Sequence, residues 1–189
     1  SAKPLVLRRP RPVELTDRDR LEALLREQER NLADRLRHEG GWHPPLHKTI
    51  QPAQTSRIFA FGAFGGVSSD RTVQATLVAS NTRALGYVDN ALPGSEENIT
   101  TANIRAMLDE FSNTTYPVVT PVFGDPSNVD GDGKVIFLFT HLVDQVGGIA
   151  GFYSSASLFS VERGGNGNLS DMMFISPTQS LDSYESLLA

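Results

Sequence analysis

The sequence predicts an α+β fold, and three stretches of its 189 residues carry that prediction. Leucines recur at helical spacing in residues 16–39, apolar and polar side chains alternate in residues 72–80, and an unbroken apolar run occupies residues 135–139. The first pattern is typical of an amphipathic helix and the second of a strand with one buried face. The third is too short to cross a bilayer and rich in β-formers, so it predicts a strand buried on both faces.

Composition restricts the chemistry that is open to this chain. A hydrophobic content of 39% is enough for a packed core, so we expect one domain, with or without an extension. The absence of cysteine excludes disulfides, cysteine metal ligands and a cysteine nucleophile. No apolar run approaches the length of a bilayer span, and we therefore predict no membrane partner.

The charges are divided unequally along the chain. Residues 1–57 carry 12 Lys and Arg against 8 Asp and Glu, a net charge of +4. Residues 58–189 carry 5 against 14, a net charge of −9. Because the charges of the basic part alternate in sign, they favour a salt-bridged helix surface, and we predict no nucleic-acid partner. The net negative charge of residues 58–189 makes a cation a better candidate for a binding partner than a nucleic acid.

Residues 1–55 are predicted to form a basic helical extension that ends in a proline-rich linker. Thr16 is a suitable N-cap, and Leu21, Leu25, Leu32 and Leu36 recur on one face of the helix that follows. Two glycines, at 40 and 41, end the pattern. This helix is either an ordinary part of the fold or an arm that docks on the body and covers something.

The elements that follow divide into a β-rich segment, residues 56–92, and a mixed segment, residues 93–189. In the first we predict strands at residues 57–62, 72–80 and 82–89. In the second, Thr100 or Thr101 is expected to cap a helix that Pro117 and Pro121 would end. The predicted apolar face of this helix consists of Ile104, Met107, Leu108 and Phe111.

A loop rich in aspartate and glycine precedes the buried strand of residues 135–139. Residues 128–133 repeat the first half of a calcium loop, in which alternating oxygen-bearing side chains lead to a glycine at the sixth place. The second half is missing, since Phe139 stands where the final glutamate would be. The loop is therefore either a calcium site or a turn in which Asn and Asp side chains bond to nearby amides. The candidate calcium ligands are Asp125, Asn128, Asp130 and Asp132.

Three further elements are predicted after the buried strand. A glycine-rich strand is expected at residues 147–154 and a short apolar strand at Met172–Ile175. Ser180 or Asp182 is then expected to cap a final helix through Tyr184 to Ala189.

With these residues in view, the chain resembles the hyicolysin-type family of secreted zinc metallopeptidases over roughly residues 56–189. No single segment is specific; their shared order carries the resemblance. The segments are Ala75-Thr-Leu-Val-Ala-Ser80, Gly86-Tyr-Val-Asp-Asn90, Phe123-Gly-Asp-Pro-Ser-Asn-Val-Asp-Gly-Asp-Gly-Lys-Val135, Gly147-Gly-Ile-Ala-Gly-Phe-Tyr153 and Asp171-Met-Met-Phe-Ile175.

The resemblance implies a zincin-like upper subdomain, which is a mixed β-sheet with a backing helix above an active-site helix. That last helix carries His-Glu-x-x-His, whose histidines hold zinc and whose glutamate activates the metal-bound water. The motif does not occur in residues 1–189, and the resemblance places it just beyond Ala189. Residues 93–189 would then be the upper part of a truncated peptidase domain, with no catalytic residue in this chain.

The resemblance also implies a substrate site. In such peptidases the edge strand of the upper sheet pairs with an extended peptide by β-augmentation. By position, that strand would contain Gly148, Ile149, Ala150, Gly151, Phe152 and Tyr153.

An upper sheet without its active-site helix would expose apolar side chains. We expect Phe137, Phe139, Met173 and the pair at 187–188 to be exposed, and the chain to oligomerise or bind the missing C-terminal half of the peptidase.

The leading function is therefore an inactive N-terminal fragment of a secreted zinc endopeptidase. The alternative is a non-catalytic, calcium-stabilised module that binds peptides or proteins. A third hypothesis makes residues 1–55 a propeptide-like arm, which is motivated by the opposite charges of the arm and the body.

Overall fold

The computed structural model describes residues 16–41, 53–62, 71–93, 99–146 and 148–178. The fold is mixed α/β, with a curled sheet of six strands in the order β1-β2-β3-β4-β6-β5. The strands are β1 Ser56–Phe61, β2 Arg71–Ser80, β3 Ala84–Asp89, β4 Val135–Phe139, β5 Gly151–Tyr153 and β6 Met172–Ile175. The helices are α1 Asp17–His38, α2 Thr101–Glu110 and α3 Tyr116–Phe123.

The sheet combines two kinds of pairing. The strands β1, β2 and β3 form an antiparallel meander, whereas β3, β4 and β6 run parallel to one another. The short strand β5 returns antiparallel to β6 and lies at the edge of the sheet. The strands predicted at residues 57–62, 72–80, 82–89 and 172–175 are confirmed within two residues at their ends.

The glycine-rich strand is shorter than predicted. It was expected to span residues 147–154, but only Gly151–Tyr153 is extended and paired. A helical turn at Asp144–Val146 precedes it, and Gly148 has a φ of 62°, which is incompatible with a strand. Gly148, Ile149 and Ala150 therefore form the approach to the edge strand rather than part of it.

The prediction that prolines end the second helix is wrong. Thr100 caps α2, and the helical path then continues through a π-helical turn, Phe111–Thr115, into α3. Pro117 lies in the first turn of α3, where a missing N–H is tolerated after the widened turn. Pro121 lies within α3, which ends two residues later at Phe123.

One face of the sheet is covered by α2. Its predicted apolar residues are buried there against β4, and the rings of Phe111 and Phe137 meet edge to face at 5.1 Å. Phe137 and Phe139 are at most 1% exposed, so the prediction that they would be exposed is wrong. Met173 is half-buried, and residues 187–188 lie outside the described residues. The apolar face of α2 and Phe111, the first residue of the π-helical turn, cover this side of β4.

The opposite face is covered by α1 and by the turns around β5. Thr16 forms a capping box with Asp19 at the start of α1, which confirms the predicted N-cap. Leu21 is 4% exposed and belongs to the main core, together with residues from all six strands. The remaining residues of the predicted extension, 1–15 and 42–52, lie outside the described part of the chain.

The first strand, β1, is tied to the segment that precedes β6. Asn168 accepts from the Ala60 N–H at 2.8 Å and donates to the Ala60 carbonyl at 2.9 Å, so its amide caps the outer side of β1. Behind this contact the rings of Phe61, Phe152 and Phe174 pack together, with centroids 5.1–5.8 Å apart. The aromatic trio links β1, β5 and β6 across the curl.

Candidate functional site

The Asp/Gly loop enters β4 and is held closed by its own side chains. Asn128 Oδ1 accepts from the Gly133 N–H at 2.7 Å, and Asp132 Oδ1 accepts from the Lys134 N–H at 2.8 Å. Asn128 itself has a φ of 50°, and Gly131 and Gly133 also have positive φ. These are the bonds of an Asx-type turn, in which short polar side chains replace backbone partners.

The four predicted calcium ligands do not form one ring of free oxygens. Asp125 is exposed, and its Oδ1 accepts from the Tyr116 hydroxyl at 2.9 Å. The side-chain carbonyl oxygen of Asn128 already accepts a hydrogen bond from the Gly133 N–H. Asp130 and Asp132, in contrast, lie side by side, close enough for their carboxyl groups to share a hydrogen bond.

The Asp130–Asp132 pair is electrostatically strained. Burial raises the pKa of Asp132, and the charge of Asp130 adds to this effect, while the Lys134 N–H opposes it. Asp130 Oδ1 is buried without a hydrogen-bond partner among the described residues. Two carboxylates in contact require a shared proton or a cation, because two negative charges at this distance repel.

The pair lines a cavity of about 310 Å³ beneath β1 and β3. Arg57 and Tyr87 form its other polar walls, and the charge of Arg57 interacts with both aspartates. The guanidinium is already held in place, since it donates to the Asn168 carbonyl at 2.5 Å and to Ser170 Oγ at 2.9 Å. The cavity therefore combines one fixed positive charge with two carboxyl groups.

Asp171 is a residue of this site that the sequence analysis missed. It is 4% exposed, and its carboxylate accepts from the Ser127 N–H at 2.9 Å and the Asn128 N–H at 2.6 Å, with Val129 N–H as a further donor. Burial raises the pKa of Asp171, while these amides act in the opposite direction. The sequence signal that could have identified Asp171 is its position as a single aspartate directly before the apolar strand β6.

The predicted substrate strand lies where an extended peptide could approach. β5 forms an edge of the sheet, with Tyr153 40% exposed and Phe152 buried. Gly151 fits tightly against β6, because a Cβ there would lie 2.6 Å from the Phe174 carbonyl oxygen. The approach is fixed by the Ser176 N–H, which donates to the Ala150 carbonyl at 2.8 Å.

A second polar cluster lies at the other end of the parallel strands. Asp144 Oδ2 contacts His141 Nδ1 at 2.7 Å, and its Oδ1 accepts from the hydroxyls of Ser176 and Thr178. These contacts tie the exit of β4 to the exit of β6. His141 thus takes part in a structural contact between the two strand exits.

Within the described ranges the chain has neither a formed metal cluster nor a helix that could span a membrane. Among those residues, no group of three or more His, Cys, Asp or Glu side chains is arranged to hold a metal ion. None of the helices there is both long and apolar enough to cross a lipid bilayer. Calcium binding by the four oxygen-bearing residues therefore stays a prediction.

Comparison with known proteins provides no family for this chain. The sequence matches no protein-family model, and no curated protein is significantly similar to it.

The strain between Asp130 and Asp132 predicts a pH dependence of stability. Since the pKa of Asp132 is raised on folding, its contribution is fully present below its ordinary pKa and is lost as the pH rises through the raised value. We expect Asp132→Asn to flatten the fall in stability as the pH rises above the ordinary pKa of an aspartate, while Asn Oδ1 still accepts from the Lys134 N–H. Urea unfolding at several pH values measures this; unchanged pH dependence would contradict it.

Proposed function

We propose that this chain is the amino-terminal part of a secreted zinc-dependent endopeptidase and is inactive by itself. The proposal rests on the ordered resemblance of residues 56–189 to hyicolysin-type peptidases. It is supported by a mixed sheet that carries an antiparallel edge strand, with the helix α2 on one face. These are the features that the resemblance implies for a zincin-like upper subdomain.

The observation that carries the proposal is the place of β5 at the sheet edge. An edge strand offers backbone groups to an extended peptide, which can bind as an added strand. Gly148 and Tyr153 are both exposed at this edge, so a peptide could reach it from solvent. In this reading the chain supplies the surface along which the substrate lies.

Zinc would belong to another part of the complete protein. There, a His-Glu-x-x-His motif beyond Ala189 would hold the metal, which supplies an activated water for peptide-bond hydrolysis. The described residues do not fit such a site, because none of their acidic and histidine side chains cluster in threes. The contribution of these residues is restricted to binding and orienting a peptide.

A longer protein tests the peptidase proposal. We expect residues 1–189, continued by the segment that follows Ala189 in the source gene, to hydrolyse casein and to lose this activity on treatment with a chelator. Residues 1–189 alone should show no hydrolysis. As a control, the motif glutamate is replaced by glutamine, which should leave zinc content unchanged. A continuation without the motif, or without chelator-sensitive hydrolysis, would remove the proposal.

The proposed partner surface for the missing half is the exposed face of α3. Val118, Val122 and Phe123 are 69%, 73% and 82% exposed, although all three are large and apolar. Contiguous apolar side chains on a surface favour association. This face, and not the buried Phe137 and Phe139, supports the expectation that the chain binds its C-terminal half.

The alternative function is a calcium-stabilised module that binds peptides without catalysis. The specific support is Asp130, whose buried Oδ1 lacks a partner among the described residues while Asp132 lies next to it. A divalent cation between these carboxyl groups would remove their repulsion and satisfy the free oxygen. In this case residues 1–189 would bind an extended peptide in the absence of zinc.

Calcium addition is expected to stabilise the chain. Because binding to the folded state alone adds RT ln(1 + [L]/Kd), a concentration of about 100 Kd should stabilise by about 2.7 kcal/mol and raise Tm accordingly. Asp130→Asn should abolish the rise, whereas Asp109→Asn, on α2, should retain it. Differential scanning fluorimetry with calcium and with magnesium makes the measurement. An unchanged Tm for the wild-type chain would leave the Asx turn as the whole role of the loop.

A further inference from the structure

We propose that the helix α1 is a permanent brace that holds the edge strand β5 in its binding position. This inference rests on the proposed function of β5 as a peptide-binding strand. It differs from the propeptide hypothesis, in which the N-terminal arm would cover a site and be removed. The brace is assigned from the contacts of α1, which lies against the helical turns on both sides of β5.

The first contact precedes the strand. The turn Asp144–Val146 leads towards β5, and α1 packs against it. Leu21 of α1 belongs to the same buried core as Val146 and Phe152, which is the central residue of β5. Since Phe152 also packs on Phe61 and Phe174, the inner side of β5 rests on a core that α1 helps to close.

The second contact follows the strand. The turn Ser155–Leu158 lies against α1, and the loop after it meets the C-terminal half of the helix. Arg35 Nη1 donates to the Glu162 carbonyl at 3.3 Å, and Glu39 lies 3.9 Å from Arg163 Nε. Gly164 makes room for this contact, because a Cβ there would lie 3.0 Å from Arg35 Nη1.

A three-residue strand needs such support. Among the described residues, β5 is paired with β6 along one side, and short edge strands open more readily than central ones. The contacts of α1 flank the strand on both sides, and Tyr153 remains 40% exposed beside it. Loss of α1 should therefore weaken peptide binding, whereas loss of an inhibitory arm would strengthen it.

Hydrogen exchange measured by mass spectrometry on the whole chain tests the brace directly. The main variant is Leu21→Ala. A second, Leu32→Ala with Arg35→Ala, removes a side chain that is 8% exposed and the hydrogen bond from Arg35 to the Glu162 carbonyl, and it leaves Leu21 and the main core intact. Its matched control is Leu36→Ala with Arg37→Ala on the same helix, because Leu36 is only half-buried and Arg37 pairs with Asp34 of α1 itself. Affinity is measured in parallel with a fluorescein-labelled peptide of alternating threonine and valine.

We expect both test variants to speed exchange in residues 151–158 by about tenfold or more, with β2 and β3 unchanged and the control like wild type. Peptide affinity should fall in the same two variants. Unchanged exchange in residues 151–158, or an equal change in the control, would overturn the brace. Faster exchange in a protein whose wild type binds no peptide would uphold the brace and remove the peptide-site proposal, so the two failures are distinguishable.

Discussion

Replacing Phe174 by alanine is expected to lower the free energy of unfolding by about 3–5 kcal/mol. Phe174 is fully buried in β6, and its ring packs on Phe61 of β1 at 5.1 Å and on Phe152 of β5 at 5.1 Å. The substitution would remove apolar surface from the core and leave a cavity where three strands meet. The loss is large because the ring is fully buried and contacts side chains of two other strands.

Urea unfolding, monitored by far-UV circular dichroism, measures the effect of Phe174→Ala on the free energy of unfolding. Phe123→Ala is a matched control, because Phe123 is 82% exposed at the end of α3 and should change stability by no more than about 0.5 kcal/mol. Phe174→Leu should be more stable than Phe174→Ala, because leucine fills much of the space that alanine leaves empty. Equal stability of Phe174→Ala and Phe123→Ala would contradict the packing described here.

Most strands could be predicted from the sequence, because their signals are local. Alternation in β2 and the apolar run of β4 follow directly from the faces that each strand buries. The path of the second helix could not be predicted in this way. Two prolines indicated an end, and only a π-helical turn, which has no clear sequence signal, allows the helix to continue to Phe123.

The burial of Phe137 and Phe139 shows a second limit. Alternation along β4 predicts that neighbouring side chains face opposite sides of the sheet, but not which element covers each side. The resemblance suggested that an absent helix was needed, whereas α2 and its Phe111 already fill that space. Which helix packs on which face is a long-range property, and residue patterns within one strand do not contain it.

The candidate site was likewise predictable in part. Asp130 and Asp132 were identified by their spacing with glycine, and the structure brings them together. Arg57 and Tyr87 were not identified, because they reach the cavity from β1 and β3, far from the loop in sequence. The role of Asp171 was not predicted for the same reason, since the amides that donate to its carboxylate are 43 and 44 residues away in sequence.

Asp171→Ala is expected to lower the free energy of unfolding by about 2–4 kcal/mol at neutral pH. The substitution leaves the amides of Ser127 and Asn128 without their acceptor in a part-buried loop, and unsatisfied donors there are costly. Burial of the carboxylate is unfavourable and raises the pKa of Asp171. Its removal therefore offsets part of this loss, but only part. The stability of Asp171→Asn should lie between that of the wild type and that of Asp171→Ala, because the asparagine side chain keeps one acceptor oxygen.

Asp125→Ala is the control that separates the role of Asp171 from that of any acidic residue near the loop. Asp125 is exposed and bonds only to the Tyr116 hydroxyl among the described contacts, so its removal should cost no more than about 0.5 kcal/mol. Hydrogen exchange of residues 126–133 should rise in Asp171→Ala and stay unchanged in Asp125→Ala. If Asp171→Ala were as stable as wild type, the loop would be held by its own Asx bonds alone. In that case Asp130 and Asp132 would owe their contact to the turn and not to the carboxylate before β6.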